Sequence, residues 1–172
     1  MKKIYLLILV LFLFLSCYVI YNLTDDDDFY YLSIGDNSYY DNSNKIFVCS
    51  DYRVIDLLNI LKYNQEVNFN DKSISIYQLL YKADFLFISI GKNDINYILS
   101  HNSKEKFNYI NKMLINLNNI FDILSKYSFK NVYFVLFDDD DIIFNYVNYR
   151  IKKLCKSYGF KFVYPNYFDK LP

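Results

Sequence analysis

The residues that could do chemistry fall into four short runs, each directly after an apolar stretch. They are Gly35-Asp36-Asn37-Ser38, Ser50-Asp51-Tyr52-Arg53, Gly91-Lys92-Asn93-Asp94 and Asp138-Asp139-Asp140-Asp141. The carboxylates invite a first reading. Asp36, Asp94 and the run at 138–141 could together hold Mg²⁺ for phosphoryl chemistry. Against it, the chain has only three glycines and no phosphate loop. Aspartates are also common at helix starts, where the backbone N–H groups favour negative charge. The single histidine, His101, reads as an exposed residue at a helix start. Of the three cysteines, Cys17 lies in an apolar stretch, and no CxxC spacing suggests zinc. Cys49 and Cys155 read as buried thiols, with a disulfide between them the alternative.

The elements that must position these runs follow from hydrophobic periodicity. Residues 29–34, 46–49, 85–90, 131–137 and 160–164 are apolar runs of strand length. The run at 85–90 is continuous, as expected of a strand buried on both faces. Between the runs lie helical stripes. Val54, Leu57, Leu58 and Leu61 mark a helix over 51–63, with Ser50 or Asp51 as its cap. A short helix is expected over 75–82. Phe107, Ile110, Leu114, Leu117, Phe121 and Leu124 recur at steps of three and four over 104–127. Ile143, Val147, Ile151, Leu154 and Tyr158 do so over 142–158, with Gly159 as the C-terminal stop. Strands alternating with helices imply parallel βαβ units with right-handed crossovers. The fold class is therefore α/β, a three-layer doubly wound parallel sheet of flavodoxin-like strand order. In such sheets ligands bind beyond the carboxyl ends of the strands, where strand order reverses. The runs at 35–38 and 91–94 should face each other there.

Placed so, Ile34-Gly35-Asp36-Asn37-Ser38 resembles the first block of the SGNH/GDSL hydrolases, and Gly91-Lys92-Asn93-Asp94 resembles their G-x-N-D block. Residues 52–58 sit where that family's second block leads into a helix. The resemblance spans residues 29–172. It implies ester hydrolysis by a serine nucleophile, with a histidine base, an orienting aspartate and an oxyanion hole. Such a hole stabilises the anionic tetrahedral intermediate, each positioned donor contributing about 2.7–4 kcal/mol. By resemblance Asn93 is the oxyanion asparagine, its alternative being a cap of the following turn.

Three departures from the family pattern accompany the match. The nucleophile slot holds Asn37, whose amide cannot attack an ester, and Ser38 lies one residue later. The second block, Cys49-Ser50-Asp51-Tyr52, has no glycine. The Asp-x-x-His block expected after the last strand is not found, since three residues past Asp169 stands Pro172. These departures imply an SGNH-like fold lacking its last helix, with catalysis impaired or lost: a pseudoenzyme that binds an ester or an acylated glycan. An active esterase using Ser38, or a completing Asp-x-x-His segment, is the alternative. A carboxylate-rich metal-binding or interaction domain is a further one. No cofactor is implied. Loss of the last helix predicts an apolar patch on one face of the sheet.

Ahead of the domain, Lys2 and Lys3 precede an unbroken apolar run over residues 4–21. As a helix this run measures about 27 Å, close to the hydrocarbon core of a bilayer. Positive charge before it and Asp25-Asp26-Asp27-Asp28 after it predict an extracytoplasmic domain. The organisation expected is a transmembrane anchor over 1–24, an acidic spacer over 25–28 and the domain over 29–172. Processing at Cys17 as a lipoprotein, or cleavage as a signal peptide, are the alternatives. Lysines and arginines together equal the acidic residues at 19 each, and no basic patch is evident, which gives no electrostatic case for nucleic acid.

Overall fold

A computed structural model of the chain describes residues 31–35, 46–49, 52–69, 72–100 and 105–165. The expected anchor and spacer, Asp36, Asn37, Ser38, the Ser50-Asp51 pair, His101 and the Asp169 segment lie outside the described residues. Among the described residues, no helix is long and apolar enough to cross a membrane.

Five parallel strands make the sheet: β1 (Tyr31–Gly35), β2 (Ile46–Cys49), β5 (Phe85–Ser89), β6 (Asn131–Val135) and β7 (Lys161–Val163). Their order is β2-β1-β5-β6-β7, the order of a flavodoxin-like sheet. Strand order reverses between β1 and β5, which pair from Tyr31↔Phe85 to Gly35↔Ser89. The connecting helices are α1 (Val54–Lys62), α2 (Ile76–Lys82), α3 (Lys92–Leu99), α4 (Lys106–Leu124) and α5 (Ile142–Tyr158). Two short elements escape the sequence reading. β3 (Glu66–Phe69) and β4 (Lys72–Ser75) form an antiparallel hairpin between α1 and α2. Each is only 4 residues long, too short for its alternation to stand out.

The helices follow from their burial stripes. In α4, Ile110, Leu114, Leu117, Phe121 and Leu124 are buried as expected, and Met113 and Ile120 join them. Phe107 does not: it is 68% exposed, lies in the first turn and stands edge-on to the ring of Tyr146. In α5 the buried face is Phe144, Val147, Asn148, Ile151 and Cys155. It is rotated from the expected one, leaving Ile143, Leu154 and Tyr158 at its margin. Gly159 ends α5 in the left-handed conformation, as expected. Cys155 is a free buried thiol, so the Cys49–Cys155 disulfide does not form. Burial pushes that thiol up to about 12, which leaves it inert.

The two faces of the sheet differ. Leu32, Ile34, Leu86, Ile88, Val132 and Phe134 pack with the helices into the main core. This arrangement follows from chain path. The connections β2 to β5, β5 to β6 and β6 to β7 all advance across the sheet in one direction. Right-handed crossovers therefore place their helices on one face. The connection from β1 to β2 runs the other way, and residues 36–45 lie outside the described residues. The described helices thus make one layer on one sheet. Phe87, Tyr133 and Val135 form a second cluster on the opposite face, with Tyr31, Phe85 and Val163 against it. The apolar patch expected from loss of the last helix is not exposed there: Phe87 is 0% and Tyr133 6% accessible. Stacked rings contribute to that cover, Tyr31 on Phe85 and Phe87 on Tyr133, each pair 5.1 Å between centroids.

Candidate functional site

The site begins with two glycines at the carboxyl ends of β1 and β5. Gly35 has φ +128° and Gly91 has φ +111°, values that L side chains rarely adopt. At Gly35 the backbone of the neighbouring strand comes so close that a Cβ would stand 1.8 Å from the carbonyl oxygen of Ser89. Only glycine fits. At Gly91 a Cβ would meet the Phe137 ring at 3.2 Å, with Met113 and Val54 just beyond. The floor under this turn is therefore apolar.

That floor is itself fixed. Asn148, buried in α5, spans both backbone groups of Phe137. Its carbonyl oxygen accepts from Phe137 N at 3.0 Å and its amide donates to Phe137 O at 2.8 Å. This satisfies an irregular stretch of backbone where the sheet ends. The Phe137 ring then packs edge-on against Phe144, 5.5 Å between centroids. No sequence signal singles out Asn148, since an asparagine on a helix is usually a surface residue.

Gly91 starts α3, and Ile95 N donates back to Gly91 O at 3.0 Å. Asn93 and Asp94 stand in the first turn of this helix. Sequence reasoning treats 91–94 as a loop and misses α3. Only two of its residues, Ile95 and Ile98, are buried, too few for a visible stripe. Asp94 is committed to structure. Its Oδ2 accepts from Val54 N, the first amide of α1, at 2.8 Å. The third motif is thus tied to the start of the helix that follows the second motif. The Asp94 carboxyl is pushed up to about 6, chiefly by burial and further by the nearby Asp56. The Val54 amide and the Arg53 guanidinium oppose that rise without cancelling it.

Arg53 rather than Ser50 or Asp51 holds the N-cap position of α1. Its backbone N–H donates to Asp56 Oδ2 at 2.9 Å, and its guanidinium lies 5.4 Å from the centroid of Tyr97 on α3. The Asn93 side chain, by contrast, is half-buried and makes no hydrogen bond among the described residues. It does not cap the turn it begins.

The fourth run is a helix start. Asp138 to Asp141 leave β6 into solvent, Asp141 accepts from Ile143 N at 2.6 Å, and Asp139 accepts from Asp141 N at 2.9 Å. Among the described residues, no three His, Cys, Asp or Glu side chains lie close enough to hold a metal ion. Two grooves are prominent, and neither holds a motif residue. One, of about 490 Å³, runs between α4 and α5 past Asn111, Ile115 and Arg150. The other, of about 410 Å³, lies beside α2.

The structure therefore brings Gly35, Gly91, Asn93 and Asp94 to one edge of the sheet at the switch point, with Asp36, Asn37 and Ser38 outside the described residues. No protein-family model matches the chain, and no curated protein matches it in sequence.

Proposed function

We propose that this edge is the remnant of an SGNH/GDSL-type ester site, held outside a membrane by the N-terminal apolar segment. It binds an ester or an acylated glycan and hydrolyses it poorly or not at all. The observation that carries the reading is Asn93. A half-buried side-chain amide without an internal partner, at the switch point of a parallel sheet, suits a donor kept for a ligand oxygen. The second support is order: a Gly-Asp-Asn-Ser run follows β1, and a Gly-Lys-Asn-Asp run follows the adjacent β5. Impairment follows from Asn37 in the nucleophile slot, whose amide cannot attack an ester.

The test uses the full chain in detergent with p-nitrophenyl acetate and with an O-acetylated oligosaccharide. The expected result is binding of the saccharide that weakens in Asn93→Ala, without turnover of either ester. Turnover that disappears in Ser38→Ala would show an active esterase with Ser38 as its nucleophile. Saccharide binding unchanged in Asn93→Ala would remove the oxyanion-slot reading.

A further inference from the structure

The edge of the sheet opposite the candidate site has its own chemistry. Helices that lead directly into strands of the sheet end at its amino edge. There α2, before β5, and α5, before β7, each carry a lysine in the last turn, Lys82 and Lys156. Lys62 ends α1, which meets the start of α2 through the Ile76 N–H donating to Gln65 O at 3.1 Å. Helix dipoles favour that placement and account for the charges alone. They do not account for the aromatic rings among them. Tyr127 packs with Tyr77, Tyr81 and Phe129 at 6.0, 5.0 and 5.8 Å between centroids. Tyr81 is 79% exposed, and Tyr63, with Lys62 over its ring, is 63% exposed. The groove of about 410 Å³ beside α2 is lined by Ile74, Leu79, Tyr81 and Lys82.

The position of this cluster is fixed by strand register. Phe85, directly after Ala83 and Asp84, pairs with Tyr31 on one side and Asn131 on the other. Tyr81 and Lys82 precede Phe85, and Tyr127 and Phe129 precede Asn131. Lys130 joins the two turns by donating through its backbone N–H to Asp84 O and pairing with the Asp84 carboxylate at 2.7 Å. Tyr31 is also where the chain enters the sheet. Nine residues, 22–30, separate it from the apolar run at 4–21. Fully extended they span at most about 32 Å, so the amino edge is the part of the domain held nearest the anchor.

We propose that the Tyr63–Tyr81–Tyr127 edge rests on the headgroup layer of the bilayer that holds the anchor. Tyrosine suits that layer because its ring is apolar and its hydroxyl wet. Lysine stems cover apolar surface while the ammonium reaches phosphate. The consequence is orientation: the amino edge faces the membrane, and the edge bearing Gly91, Asn93 and Asp94 faces away, open to ligands from the aqueous side. This inference rests on the anchor reading of residues 4–21.

The test places the full chain in phosphatidylcholine vesicles, with and without phosphatidylglycerol. A polarity-sensitive fluorophore is attached at Tyr81→Cys or, as control on the opposite edge, at Asp139→Cys, in a chain whose three native cysteines are serine. The expected result is a blue shift and quenching by headgroup-depth nitroxide lipids at position 81, and neither at 139. Equal, weak quenching at both positions in carbonate-resistant protein overturns the docking and leaves the anchor standing. Release of the protein by carbonate overturns both. Loss of the signal at 81 on reversing Lys62 and Lys156 to Glu, in the phosphatidylglycerol vesicles alone, assigns the contact to the net negative headgroup charge as well as to the rings.

Discussion

Gly35 ends β1 and Gly91 follows the adjacent β5 by two residues, yet they are held by different forces. Gly35 is fixed by main chain. The carbonyl of Ser89 leaves no room for a methyl group, and neither backbone can retreat without breaking the β1–β5 pairing. Gly91 is fixed by side chains. A Cβ there would meet the Phe137 ring at 3.2 Å and Met113 and Val54 at 3.7 Å, and Asp94 secures the turn from the other side through Val54 N. The first turn is thus specified by one residue and the third by a network. A network can keep its geometry while single members change.

The sharpest way to break the comparison is to add the same methyl group at both glycines. Gly35→Ala should be the larger effect by far. A Cβ at 1.8 Å from a carbonyl oxygen forces strands apart, and a loss above about 4 kcal/mol is expected, in the range reserved for such named defects. Chemical denaturation monitored by circular dichroism would measure it. Gly91→Ala should cost about 1–3 kcal/mol, the strain of a left-handed non-glycine residue. The ring tip it meets can shift by tenths of an ångström. If the two variants lose equal stability, the distinction between a backbone and a side-chain constraint is wrong.

Much of this is legible in the sequence because it is written in period and in punctuation. The helix at 142–158 can be read with both ends in place, since Asp141 and Gly159 mark them and its stripe is long. Strands β1, β2, β5 and β6 are legible as apolar runs, and the parallel order follows from alternation. What is not legible depends on long-range contact. The β3–β4 hairpin and α3 bury few side chains, so they have no stripe to read. The role of Asn148 comes from a backbone 11 residues away in sequence, and that of Asp94 from an amide 40 residues away. Asp94 stands out as a motif residue, but its partner does not. The expected exposed patch departs furthest from the structure. Phe87 and Tyr133 are buried on a face that none of the described helices covers.

The subtlest prediction concerns Asp94, where structure and titration meet. Its carboxyl is raised from an ordinary 3.8 to about 6, so the folded chain holds this proton more tightly than the unfolded chain does. Below the unfolded value both states are protonated and the contribution to stability is complete. As pH rises from about 4 to about 6, the unfolded state ionises first, and stability falls. Above the folded value the loss levels off. A tenfold difference in proton affinity between the folded and unfolded chains corresponds to about 1.4 kcal/mol. Solvent screening of a half-buried group reduces the total to about 1–2 kcal/mol. Asp94→Asn keeps a carbonyl oxygen for Val54 N and removes the charge. The variant should match the parent near pH 4 and exceed it by that amount at pH 7. Urea midpoints for both chains between pH 4 and 7 would measure the difference, in which the slopes of all other carboxylates cancel. Two parallel curves would mean that Asp94 titrates normally. The tie between α3 and α1 would then be an ordinary ionised cap rather than a carboxylate held against the cost of burial.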